Sequence, residues 1–492
     1  MTLTNFLGVN KGLLIAPAGH GKTHIIGNCV KMCPDNTIQL ILTHTHAGIN
    51  SLRSKFKKLG ILHNKYKIET ISGFAQKLVL AYIPQNKIPA QDSKEYFDYI
   101  IQESSNLLKL VSVQTIIKNS YHGLFVDEYQ DCTVDQHNMI MKLADLMPIH
   151  ILGDELQGIF SFAGQKVDFT KDLMGFERFD FLTEPWRWKL DGNCEKLGKK
   201  ILNIRDQLLS TRKSISLVQD EEAHFFVYKY KPIDNGCYSI IKKYLDSIKD
   251  KSILIITPTY IDSKSGRLRG GITDRADMRK RMRIEYSFSL LEAIDDKSFY
   301  SVAKDIDYLL NTKSRSRTKL SKIYNLLSKL TFNVTELKEW IEPKRNYIKK
   351  KRGKNSNLSE ELKKCYDTFV NDCSLNSIVC IINFFSNTLC LRPKRPELLH
   401  SLSTCMRNAI LNNNSVYENM IEYKNRIRHI GKKIDDRCLG TTLLTKGLEF
   451  DTVIVVDAHL FSDKRNFYVA ISRACKNVII LTENNQINWQ DP

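Results

Sequence analysis

At 492 residues the chain is too long for one ordinary hydrophobic core, so two to four globular units are expected. Its 42% hydrophobic and 26% charged residues are those of a folded soluble protein. The formal net charge of +19 calls for a polyanionic partner. Nucleic acid ranks ahead of a membrane surface, because no strongly amphipathic basic helix with an aromatic face is found.

The start of the chain, MTLTNFLGVNKGLLIAP, shows no basic leader and no small-residue cleavage site. The longest apolar runs are strand-length, far short of a membrane span. Twelve cysteines are scattered without a C-x-x-C pair. Reduced thiols, a cytoplasmic location and no membrane partner are therefore expected.

The first half alternates short apolar runs with polar helical stretches. Residues 12–17, 38–45, 66–72, 123–128 and 149–155 read as buried strands, each ending in a polar or glycine-rich turn. The pattern returns at 224–230, 252–258, 438–444, 452–458 and 477–483. Two parallel α/β sheets are expected, with ligands at the carboxyl ends of the strands. Between 262 and about 430 the pattern is helical and rich in Lys, Arg, Asn and Ser. Residues 313–354 hold fourteen Lys or Arg against three acids. That run, with Lys349, Lys350, Lys351 and Arg352 at its densest part, reads either as a solvated helical face with a loop or as a nucleic-acid contact.

Two stretches carry chemistry. APAGHGKT at 16–23 lies between a strand and a helix. Its glycines let successive backbone N–H groups close on phosphates, its lysine suits the β and γ oxygens, and its hydroxyl suits Mg²⁺. Ala16 stands where the general pattern has a first glycine. Ala16, Gly19, His20, Gly21, Lys22, Thr23 and His24 are the candidate nucleotide contacts, with His20 a tolerated side chain in the bend. VDEYQD at 126–131 then puts Asp127 and Glu128 at a strand end. Asp127 suits the metal, together with Thr23, and Glu128 suits a base for water.

The order of these stretches resembles superfamily 1 DNA helicases of the UvrD/Rep/PcrA type. LTHTHAG (42–48), TISGFAQKLV (70–79), VDEYQD (126–131), ILGDELQGIFSFAG (151–164), LTEPWRW (182–188), TTLLTKGLEFDTVIVV (441–456) and NFYVAISRACKNVIILT (466–482) are similar to successive helicase motifs. The resemblance implies an α/β fold of two RecA-like P-loop domains with short helical insertions. It implies domain 1A over 1–75 and 121–189, a reduced 1B insertion over 76–120, domain 2A over 190–262 and 431–492, and a basic 2B-like insertion over 263–430. It further implies that ATP and Mg²⁺ are used, that Gln157 senses the γ-phosphate, and that Arg187 and Arg473 stabilise the transferred phosphoryl group. Glu449 would lie near the nucleotide, and Trp186 beside its base, though both tryptophans of WRW also suit core packing. Thr45, His46, Phe74, Phe160, Phe162 and Lys446 match positions near the single strand. A phenylalanine at such spacing is also a common core residue.

Departures from the family are visible. No glutamine precedes Ala16, Ala163 stands where motif III has an arginine, and Leu443 stands where motif V has a histidine. The compactness resembles the helicase-like subunit of Gabija anti-phage systems, which works beside an OLD-family ATPase–nuclease. Three functions are therefore expected to compete. One is a DNA-dependent ATPase moving 3′ to 5′ on single-stranded or tailed DNA, within such a defence complex. Another is a nucleotide- or DNA-end-sensing ATPase that controls a partner nuclease. The last is a repair helicase.

Overall fold

The computed structural model describes residues 2–489 apart from 92, 94, 160–164, 181, 191–193, 211–212, 232–235, 248–249, 263–264, 285–286, 294–295, 312–315 and 431–434. The side chains of 47, 236, 316–317, 354 and 428–430 are also outside the description. The chain divides into two compact units, Met1–Leu291 with Gly431–Pro492, and Glu292–Ile430.

The larger unit holds two six-stranded parallel sheets. The first consists of β1 (Lys11–Ile15), β2 (Gln39–Thr43), β3 (Tyr66–Thr70), β4 (Gly123–Val126), β5 (Ile149–Gly153) and β6 (Glu177–Phe179), in the order β3-β2-β4-β5-β1-β6. β2, β4 and β5 are buried throughout, which parallel strands covered on both faces require. Alternate residues feed two cores. Leu13, Leu40, Leu42, Leu124, Val126 and Ile151 enter one, while Leu14, Ile41, Phe125 and Leu152 enter the other. Helices begin directly at the strand ends because the sequence supplies caps there. The Thr45 and Thr70 side chains accept from the backbone of Gly48 and Gly73, and Thr133 forms a capping box with Gln136.

The second sheet runs Ser289–Leu290, Arg437–Gly440, Ile253–Ile256, Phe450–Val455, Ala474–Thr482, Phe225–Lys229 in spatial order, all parallel. All ten predicted strands are present. The short edge strands, β6 and Ser289–Leu290, were not foreseen, because three half-exposed residues or two residues give no apolar run.

Two boundaries differ from expectation. Residues 76–120 make no separate lobe. Tyr96, Ile100, Leu107, Val113 and Ile117 join the same core as Leu13 and Leu124. The helical unit begins at Glu292 rather than at 263, because the helix Ile272–Met282 and the strand Ser289–Leu290 pack on the second sheet.

The smaller unit has seven helices among its described residues. These are Lys297–Asn311, Ser316–Lys329, Val334–Trp340, Ser356–Asp372, Leu375–Asn383, Pro396–Asn412 and Val416–Ile430. They surround a core centred on Phe299, Ile306, Leu327, Phe369, Phe385 and Leu402. Arg395 is buried there. It pairs with Glu292 at 2.6 Å and Asp296 at 3.4 Å and donates to Ser298 Oγ, so the buried charge is neutralised.

Candidate functional site

The phosphate loop links β1 to the helix Lys22–Met32. Gly19 and Gly21 have φ of 74° and 91°, a region that side chains other than glycine rarely adopt. A Cβ on Gly19 would meet the Trp188 ring at 2.6 Å, so packing as well as backbone geometry demands glycine there. Ala16 is buried and donates its N–H to the Gly153 carbonyl at 3.1 Å. The missing first glycine therefore costs nothing in backbone freedom. His20 is also buried, its Nδ1 at 2.9 Å from the Ala18 carbonyl. The Lys22 amine reaches back to the carbonyls of Ala16 at 2.7 Å and Pro17 at 3.3 Å.

A cavity of about 710 Å³ opens over this loop. Its lining brings together His20, Lys22, Thr23, His24, Thr45, Asp127, Glu128, Gln157, Trp186 and Arg187 from the first sheet's side, and Lys446, Glu449 and Arg473 from the second. That volume lies in the range of small-molecule sites, about 300–1,000 Å³. Lys55 and Lys58, at the end of the helix His46–Lys58, line it too. They were missed because nothing in the sequence separates them from any solvated helix end.

Glu128 sits at φ 57°, ψ 40°, two residues past β4, and its backbone N–H binds Asp127 Oδ1 at 3.0 Å. Burial, then the Glu128 charge, pushes the Asp127 carboxyl well above its ordinary range. Burial opposes ionisation of Glu128 as well, but the charges of Lys446, Lys22 and Arg473 outweigh it and hold that carboxyl down. A pair of buried carboxylates beside a helix-start hydroxyl is a donor set that a divalent cation relieves. No cluster of three or more His, Cys, Asp or Glu suited to a metal occurs among the described residues. Thr23 and Asp127 fit Mg²⁺, which takes one or two protein ligands and fills its other positions with phosphate and water.

The second lobe closes on the first through cations. Arg473 is buried and donates to Gln157 Oε1 at 3.2 Å, to the Val469 carbonyl at 3.0 Å and to Ser472 Oγ at 3.0 Å. Burial, reinforced by Arg187, lowers its pKa to about 10. Arg187 receives the P-loop through Gly19, whose carbonyl accepts its N–H at 3.0 Å. Its guanidinium donates to the Ser472 carbonyl and to Glu449 Oε1 at 2.9 Å. That pairing holds the Glu449 carboxyl down to about 2. Trp188 is core, with its indole N–H on the Ala474 carbonyl at 2.8 Å, whereas Trp186 is 42% exposed beside the loop.

Three further residues carry no motif role in the sequence reading. Tyr468 accepts the Ala18 N–H at 3.2 Å from across the cleft. Gln130 ties the two acidic stretches together, donating to Glu128 and accepting the Asp154 N–H at 2.9 Å. Asp131 is buried and ion-paired with Lys446. The signal for all three was their place inside VDEYQD and NFYVAISR.

The strand-side candidates fare differently. Phe160 and Phe162 lie outside the described residues. Thr45 caps its helix and lines the cavity, while His46 opens the helix and is not part of the lining. Phe74 is corrected. It is 6% exposed in the first-sheet core, because the inward face of Ile71–Tyr82 needs an apolar side chain there, so it offers no stacking platform. Phe74→Ala is expected to cost about 3–5 kcal/mol of stability, read by denaturant melts, with unchanged DNA affinity in the folded fraction. Lys446 is corrected as well. It is 3% exposed, bonded to Asp131 and the Gln157 carbonyl, and 3.7 Å from Glu128. A buried ammonium needs counter-charges, and Asp131 and Glu128, which supply them, line the cavity over the loop. Lys446→Met should lower turnover tenfold or more without changing the salt slope of DNA binding. A slope reduced by about one would restore the strand role. In the smaller unit Lys350 and Arg352 are exposed, Lys349 is 3.5 Å from Glu342, and Lys351 lies 5.1 Å over the Trp340 ring.

Residues 85–174 match the UvrD/REP helicase N-terminal domain family. The match supports a UvrD-like helicase. It includes Asp127, Glu128 and Gln157 and leaves the phosphate loop and Arg473 outside, so the UvrD-like reading of those rests on the geometry above. No curated protein matches the chain. Among the described residues no helix is long and apolar enough to cross a membrane.

Proposed function

We propose that the chain is a DNA-dependent ATPase that moves 3′ to 5′ on single-stranded DNA and separates tailed duplexes. One observation carries this: a single cavity lined by Lys22, Thr23, Asp127 and Glu128 from one sheet and by Arg473 and Glu449 from the other. A triphosphate in that cavity touches both lobes, so its hydrolysis is coupled to their closure and opening. Lys22 and the loop N–H groups hold its phosphates. Thr23 and Asp127 would hold Mg²⁺, which would neutralise phosphate charge there. Glu128, kept ionised by Lys446, takes the proton of the attacking water. Gln157 relays the presence of the γ-phosphate to Arg473, its hydrogen-bond partner, and Arg473 and Arg187 stabilise the developing charge. Trp186 flanks the base.

The test is ATP turnover with and without single-stranded DNA, followed by strand separation on 3′-tailed and 5′-tailed duplexes. DNA-stimulated turnover with separation of the 3′-tailed duplex alone is expected. Stimulated turnover with no separation of either would favour a second reading, an ATPase that senses nucleotide or DNA ends and controls an OLD-family nuclease, as the resemblance to Gabija systems suggests. Burial of Phe74 and Lys446, which removes two candidate strand contacts, supports that second reading. A purified OLD-family nuclease that co-elutes with the chain would support the defence role, and activity without one would support repair. Reversing charge at Lys349–Arg352 is expected to weaken DNA binding and flatten its salt slope. Unchanged affinity and slope would make the run a solvated face.

A further inference from the structure

The second sheet carries a cavity of its own. It measures about 520 Å³ and lies where Tyr230, Thr257, Asp457 and Glu483 follow four of the strands. Open α/β sheets bind ligands at that edge.

The floor repeats a device of the first sheet. Glu128 stands two residues past β4 in the left-handed region and opens a short 3₁₀ turn. Asp457 stands two residues past the strand Phe450–Val455, at φ 52°, ψ 46°, and opens the turn Ala458–Leu460. A non-glycine residue held there by both sheets, each time a carboxylate aimed into a cavity, is strain stored at a site. Asp457 is mostly buried and takes a hydrogen bond from the Tyr230 hydroxyl on Oδ1. Burial raises its pKa, so the group gains from a hydrogen-bond donor or a cation.

A second observation is independent of that carboxylate. Thr257 is 8% exposed, lines the same cavity, and its hydroxyl has no hydrogen-bond partner among the described residues. A buried hydroxyl left unpaired costs about 1–3 kcal/mol unless something enters to meet it.

The walls narrow the ligand class. Tyr230, Tyr238 and Tyr260 line the walls, and the lining residues Lys231 and Arg281 are exposed. Five carboxylates and four cationic side chains line the cavity, in a chain whose overall charge is +19. A nearly neutral, concave lining does not suit a continuous run of phosphates. It suits one planar base with amino donors for the floor and one phosphate for the rim. We infer that this cavity is a second site, for a single free nucleoside monophosphate, built from Asp457, Thr257 and the tyrosines and separate from the phosphate-loop cavity.

The inference is independent of the ATPase reading, because it is tested in a chain whose phosphate loop is disabled. Full-length Lys22→Ala protein is dialysed to equilibrium against labelled AMP, with CMP, GMP and UMP in parallel. One equivalent of at least one of them is expected to bind, with affinity lowered tenfold or more by Asp457→Asn and by the near-isosteric Thr257→Val. Circular dichroism melts identify any variant that has unfolded, and Thr257→Val keeps the test alive if Asp457→Asn does. No binding of any of the four at millimolar concentration overturns the proposal, as does binding indifferent to both substitutions. A ten-nucleotide thymidine strand distinguishes the other source of the same chemistry. If mononucleotides fail while the strand binds and weakens in Asp457→Asn, the cavity holds a nucleotide of DNA and the free-nucleotide proposal is wrong.

Discussion

Lys22→Ala should reduce ATP turnover by at least about 10²–10³-fold, the range for removing one preorganised donor from a developing negative charge. The reason lies in how the amine is held. It is 7% exposed, and the carbonyls of Ala16 and Pro17 already aim it across the loop, at 2.7 and 3.3 Å. Of the other lysines of the lining, Lys55 and Lys58 sit at the C-terminal end of another helix, and Lys446 is engaged by Asp131 and the Gln157 carbonyl. Turnover assays at saturating ATP, on protein shown by circular dichroism to be folded, check this. Turnover within tenfold of the unmodified chain would mean that the loop is not a phosphate site.

Arg473→Ala is expected to cost still more in turnover, about 10³–10⁵-fold, as arginine fingers do, while nucleotide binding weakens far less. Arg473 meets the Gln157 side chain directly, at Oε1, 3.2 Å away. The carbonyls of Val469 and Leu448, at 3.0 and 3.4 Å, hold the guanidinium in place. Burial that lowers its pKa to about 10 still leaves it cationic near neutral pH. Measuring kcat together with nucleotide Kd separates transition-state stabilisation from ground-state binding. Arg473→Lys keeps a charge but loses the forked donors, so it should recover only a small part of the rate. An Arg473→Ala chain with full turnover would dissociate the two lobes chemically.

Much of this site was legible in the chain itself, for a local reason. Phosphate binding needs a strand, a glycine turn and a helix in unbroken sequence, so Gly19, Gly21, Lys22 and Thr23 declare themselves together. The same is true of Asp127 and Glu128 at the end of β4, and of the ten strands whose apolar runs are bounded by polar turns. The edge strands β6 and Ser289–Leu290 escaped because three and two residues are too short to show an apolar run.

What only the tertiary structure decided is which side chains point where. Phe74 matched a position near the single strand but also suited packing, as Trp188 did, and both are buried in the core. Lys446 sits one residue from a glycine turn and could have faced a strand. It turned instead toward Asp131, Glu128 and the Gln157 carbonyl, because a lysine that loses its water needs negative partners, and those come from residues some three hundred positions away. Short-range chemistry is written in consecutive residues. The sharing of one cavity by two sheets, and the pairing of buried charges across it, depends on long-range packing that no window of sequence contains.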